Sequence, residues 1–152
     1  MRTVKDIISS KPEPVNIINP SALIIDALHK LNEVNLSYLI VKDGDMYKGI
    51  FSERDYSRNV LLKGRSSSST LVQDAMTTNL PKVTYSDTVE QCMNMMTQQR
   101  ARYLVAYDGD KFAGVVTIHD LLRQVIAGKE DVFDNTLAQR LIDTAESGGR
   151  IY

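Results

Sequence analysis

Tyr38-Leu39-Ile40-Val41-Lys42-Asp43-Gly44-Asp45 and Tyr103-Leu104-Val105-Ala106-Tyr107-Asp108-Gly109-Asp110 are one phrase written twice, 65 residues apart. The offset persists through Gly49 and Gly114, Ser52 and Thr117, and Asp55 and Asp120, with 7 of the 18 positions from 38 to 55 identical. Most of the remaining pairs are conservative exchanges, as of Ile40 for Val105 or Tyr47 for Phe112. Upstream, Ile24, Leu28 and Leu31 match Val89, Met93 and Met96 at the same spacing. The heads Val4-Lys5-Asp6-Ile7-Ile8 and Val72-Gln73-Asp74-Ala75-Met76 match at 68, so a three-residue difference falls in the loop that follows each head. The chain is a tandem duplication, and each physical reading can be checked in a second copy.

Each copy reads as β-α-β-β-α. A short lead precedes a proline-containing loop and a brief extended piece, Val15–Ile18 or Lys82–Thr84. Pro20-Ser21 and Ser86-Asp87 predict helix starts, their side-chain oxygens capping free amides. The helix that follows carries apolar residues at i, i+4 and i+7. Asp43-Gly44 and Asp108-Gly109 are hairpin dipeptides, because glycine accepts φ > 0. A second helix is predicted over about residues 53–62 and 118–127, with Gly64 and Gly128 at its C-terminal ends. The expected domains are 1–64 and 71–128. Between them lies a serine-rich linker, residues 65–70, of flexible composition. A helical tail is expected over 129–152 from the spacing of Phe133, Leu137 and Leu141.

Composition narrows the function. The 152 residues are 43% hydrophobic and 24% charged, with a formal charge of −1. That near balance disfavours a nucleic-acid coat or a polybasic membrane anchor. Cys92 is the lone cysteine and reads as a packed thiol, and His29 and His119 are the two histidines, so neither a disulfide nor a multi-histidine metal site is expected. Asp43-Gly44-Asp45 departs from a calcium loop at Tyr47, Lys48 and Arg54. No apolar stretch long enough to cross a bilayer and no secretory leader is visible, so a cytoplasmic protein is expected.

The chemistry-bearing pattern is G-h-h-[S/T]-x-x-D, at 49–55 and 114–120, where a strand passes into a helix. One reading is a nucleotide seat. The hydroxyl and free amides face a phosphate at the helix start, and the aspartate takes both hydroxyls of a ribose. The other is a capping box, in which Ser52 with Asp55, and Thr117 with Asp120, satisfy their own helix end. The two readings conflict mainly at the aspartates.

Taken together, the duplicated unit, the Val-x-Asp-h-h leads, the Asp-Gly hairpins and the paired motif resemble a tandem pair of CBS domains, a Bateman module, over residues 3–128. The resemblance implies an α/β (α+β) fold, two repeats packed with pseudo-two-fold symmetry, and ligand clefts between their sheets. It also implies an adenosine ligand without a required metal: AMP first, then ADP, ATP, NAD(H) or S-adenosylmethionine. Carried over residue by residue, the first site would comprise Ile18, Asn19, Leu36, Ser37, Tyr38, Ser52, Arg54, Asp55 and Arg58. The second would comprise Val83, Thr84, Ala101, Arg102, Tyr103, Thr117, His119 and Asp120. Arg54 and Arg58 lie one helical turn apart, so tighter phosphate binding is expected at the first site.

The expected role is a non-catalytic regulatory sensor that forms a homodimer and acts on a further protein. The alternatives are a ligand-free dimerisation scaffold and, less well matched by the charge, an RNA-binding module. Enzymatic activity is not expected, because no nucleophile and base emerge as a pair.

Overall fold

The computed structural model describes residues 2–126. The helical tail read from Phe133, Leu137 and Leu141, the Gly128 stop and Ala127 lie outside the described residues. The mixed α+β chain forms two compact units. One runs from Glu13 to Asn79, and the other joins the residues up to Pro12 with those from Leu80 onward.

In the first unit, β1 (Ile17–Ile18) pairs parallel with β2 (Tyr38–Asp43), which pairs antiparallel with β3 (Met46–Ser52). Helix α2 (Ile24–Val34) connects β1 to β2. Helix α3 (Glu53–Tyr56) leaves β3 and continues as a wider π turn over Ser57–Leu61. In the second unit, β4 (Lys82–Thr84), β5 (Tyr103–Asp108) and β6 (Lys111–Thr117) repeat the order, with α4 (Val89–Gln99) and α5 (Ile118–Ile126). This unit also holds α1 (Val4–Ser10).

The hairpins agree in detail. Tyr38 faces Ser52 and Tyr103 faces Thr117, and a bulge follows Val41 in one and Ala106 in the other. Gly44 and Gly109 turn at φ +60° and +62°, where a side chain would be strained.

The helix starts differ from expectation. Helix α2 begins at Ile24 and α4 at Val89 with Thr88 as its cap, each three residues beyond the serine. Ser21 is engaged earlier, donating from its amide and hydroxyl to Asn19 Oδ1 at 2.9 and 2.6 Å. Asp87 likewise accepts from the Thr84 amide at 2.8 Å. These local turns compete for the oxygens that would otherwise cap.

Helix α2 has no side-chain cap. Its Ile24 and Ile25 amides donate to the carbonyls of Thr70 and Ser67, both at 2.9 Å. The serine-rich stretch therefore packs as a main-chain cap, itself turned by the Ser69 and Thr70 amides on Ser66 O. Its composition reads as a flexible linker, but its backbone carbonyls satisfy helix donors that no side chain reaches.

The leads are exchanged. Val4 and Ile7 of α1 are buried in the second unit's core with Val89, Met93, Leu104, Val116 and Leu121. Val72 and Ala75 of the second lead are buried in the first unit's core with Ile24, Leu31, Leu39 and Phe51. The docking bonds are equivalent. The Val4 amide donates to Asp87 O and the Val72 amide to Ala22 O, each at 2.8 Å. Burial of each large apolar side chain contributes about 1.5–3 kcal/mol, so both leads are integral to the units they join.

Candidate functional site

The hairpin register builds one candidate site in each unit. With Tyr38 opposite Ser52, the Glu53 amide reaches Ser37 O at 3.1 Å. With Tyr103 opposite Thr117, the Ile118 amide reaches Arg102 O at 3.1 Å. Thus Ser37, Tyr38, Ser52 and Asp55 meet at one strand-to-helix junction, and Arg102, Tyr103, Thr117 and Asp120 meet at the other. Leu36 and Ala101 enter these junctions from the preceding turns, where Asn35 and Arg100 adopt φ +54° and +51° to end the helices. Arg54 and Arg58 leave the first junction on the helical side, half-buried and exposed respectively, and His119 is exposed at the second.

Ile18 is not brought to this junction within its unit, because it pairs opposite Val41, three residues along β2 from Tyr38, and Asn19 follows it. Val83 and Thr84 likewise pair opposite Ala106 and Tyr107. The residue that does reach the junction from the lead strand is Asn16, buried, whose Nδ2 donates to Tyr38 O at 3.1 Å. Nothing in the sequence marks Asn16 apart from its polarity in an apolar stretch.

Both aspartates are buried, at 7% exposure for Asp55 and 3% for Asp120. Asp55 Oδ2 accepts from the Ser52 amide at 2.9 Å and the Ser52 hydroxyl at 3.0 Å, and Oδ1 accepts from Thr77 Oγ1 at 2.6 Å. Asp120 Oδ2 accepts from the Thr117 amide at 2.9 Å and from Lys11 Nζ at 2.8 Å, and Oδ1 accepts from Arg123. The capping geometry is therefore realised at both junctions. Three donors on each carboxylate leave about one of its four acceptor positions open.

Burial pushes the Asp55 carboxyl above the ordinary carboxylate value, against the opposing pull of Thr77, Ser52 and Arg54. Cys92, by contrast, is packed in the second core, and burial raises its thiol to about 12, which keeps it protonated and unreactive.

Lys11 and Thr77 carry no motif. They reach the aspartates because each follows an exchanged lead. The motif glycines explain the crossing. A Cβ on Gly49 would stand 2.6 Å from Thr77 O, and one on Gly114 would stand 3.0 Å from Ile8 Cδ1. Glycine is needed there for the passage of the protein's own lead segment.

Among the described residues, no group of three or more His, Cys, Asp or Glu side chains could hold a metal ion. No helix among them is long and apolar enough to cross a membrane.

Comparison with known proteins bears on this arrangement. The CBS domain family profile matches residues 4–61 and 72–127. The solved structure of a protein with CBS domains from Burkholderia ambifaria is similar at 36% identity and a TM-score of 0.76, covering 87% of this chain and 99% of that one. CBSX2, solved in complex with AMP, is similar at 26% identity and a TM-score of 0.69, covering 86% of this chain and 100% of that one. The mitochondrial CBS domain-containing protein CBSX3 of Arabidopsis thaliana is 32% identical over 133 residues, which are 82% of this chain and 65% of that protein. The chain spans a still smaller share, 36%, of the arabinose 5-phosphate isomerase KdsD of Yersinia pestis, at 30% identity.

Proposed function

Since the chain belongs to the CBS domain family, with two such domains in tandem, we propose that it is a regulatory module without catalytic activity that binds adenine nucleotides, AMP foremost. The observation that carries this reading is the same in both units. A buried carboxylate stands at a strand-to-helix junction beside a hydroxyl, with an acceptor position open. At Asp55 the carboxyl is held against its own desolvation. A buried ionisable group kept under such a penalty marks a functional-site candidate. A ribose hydroxyl would donate into the open position and the Ser52 or Thr117 hydroxyl would turn to a phosphate, as the AMP complex of CBSX2 encourages.

A regulatory module needs only differential affinity between two of its arrangements. Its output would then pass to a further protein, and a homodimer would cover the exposed Leu61 and Leu62 at the end of the π turn.

The second reading is a ligand-free scaffold, favoured by the main-chain amides that both aspartates already accept. Titration calorimetry with AMP separates the two. Micromolar to millimolar binding that weakens by about 1–3 kcal/mol in Asp55→Ala and Asp120→Ala, with the fold retained, supports the nucleotide site. Absence of heat with AMP, ATP, NADH and S-adenosylmethionine alike establishes the scaffold.

A further inference from the structure

The two aspartates differ in what covers them. Asp55 is held by hydroxyls and an amide, whereas Asp120 is bracketed by two cations, Lys11 at 2.8 Å on Oδ2 and Arg123 on Oδ1. Lys11 is 27% exposed and is fixed a second time by Val115 O at 2.9 Å, which leaves one of its three N–H donors unspent. Arg123 is 60% exposed and is held by the one carboxylate oxygen, a weak tether for a guanidinium with five donors.

We propose that Lys11 and Arg123 make the Asp120 site selective for a phosphorylated nucleoside. This rests on the nucleotide reading above.

A vicinal diol needs two acceptor positions on Asp120, and about one is open. Entry of the diol therefore displaces the more exposed cation, Arg123. A nucleoside alone leaves that displaced charge without its carboxylate partner. A nucleoside phosphate returns an anion to Arg123, with the third donor of Lys11 beside it. Phosphate thus offsets at this site what the diol takes away. At Asp55 the place of the lysine is taken by the Thr77 hydroxyl. Lys11 is invisible to any motif, because it lies 109 residues from Asp120 in the chain.

Nuclear magnetic resonance titration of the whole chain with AMP and with adenosine tests this site by site. The amides of residues 117–120 report one site and those of 52–55 the other. The preference for AMP over adenosine at 117–120 should be at least about tenfold, the scale of one charge-assisted hydrogen bond. In Lys11→Met and in Arg123→Gln, AMP binding there should weaken about tenfold while adenosine binding does not weaken and in Arg123→Gln strengthens, and Lys11→Arg should restore AMP binding. Equal weakening of AMP and adenosine in these variants assigns both cations a structural role and overturns the inference. Equal affinity for AMP and adenosine at residues 117–120 of the unmodified protein overturns it as well. If Lys11→Met does not fold, exposed Arg123→Gln carries the test alone. Absence of shifts with either ligand defeats the nucleotide reading itself, and this inference with it.

Discussion

Asp55 and Asp120 occupy the same place in the same repeat, yet one is a desolvated carboxylate among hydroxyls and the other a carboxylate between cations. The hairpin, the capping amide and the neighbouring hydroxyl are common to both. The difference arrives from outside the repeat, on the segment after each exchanged lead. Duplication preserved the frame of the site and allowed its electrostatics to diverge.

The crossing of the leads is the strongest part of that comparison and the easiest to break. Gly49→Ala sets a Cβ against the main-chain oxygen of Thr77, which cannot swing aside. A loss of about 3 kcal/mol is expected in urea unfolding, near the upper end of overpacking costs. Gly114→Ala should cost less, about 1–2 kcal/mol, because the opposing atom is the tip of Ile8 and the remaining penalty is backbone strain at φ +153°. Equal losses would mean that the two crossings are held with equal rigidity.

Next in size come the carboxylates. Asp120→Ala removes a helix cap and leaves partly buried Lys11 with Val115 O alone, for an expected loss of about 2 kcal/mol. Asp55→Ala removes a cap and also relieves a desolvated charge, so about 1 kcal/mol is expected. The reverse order in matched denaturation curves would break the contrast.

The pH dependence sharpens it. The folded carboxyl of Asp55 titrates above its ordinary 3.8. A raised folded value contributes stability that is fully present below 3.8 and is lost as pH rises through the folded value. Asp55→Asn should therefore gain on the unmodified protein as pH climbs through that window, and hold its gain above it. A difference between the two that does not change across the acid range would show that Asp55 is not desolvated.

The smallest effect is expected for Arg123→Ala. Arg123 is itself mostly exposed and Lys11 stays on the buried carboxylate without it, so a loss of about 0.5 kcal/mol is expected, and less at high salt. A loss above about 1 kcal/mol would place Arg123 in the architecture of the fold.

Much of the architecture was legible because its determinants are local. The Asp-Gly dipeptides position both hairpins, the alternating and helical spacings separate strand from helix, and Ser52 and Thr117 mark helix starts with side chains three residues from their partners. The misplaced starts of α2 and α4 were legible only as an excess of plausible caps. Ser21 and Asp87 close short turns first, and in α2 the donors are met by the carbonyls of Ser67 and Thr70, more than forty residues away. Composition cannot announce a main-chain acceptor, since every residue has one.

The sequence by itself determined that a β-α-β-β-α unit is written twice and that a hydroxyl and a carboxylate stand three residues apart at each strand end, because periodicity, turn chemistry and capping act over a few residues. Tertiary structure alone decided which lead covers which sheet, and with it that Lys11 meets Asp120 and Thr77 meets Asp55. Both leads present the same Val-x-Asp-h-h face, so either could fill either apolar groove by pattern. The partner is selected by how the complete chain closes each core, and the charge of each site follows from that choice.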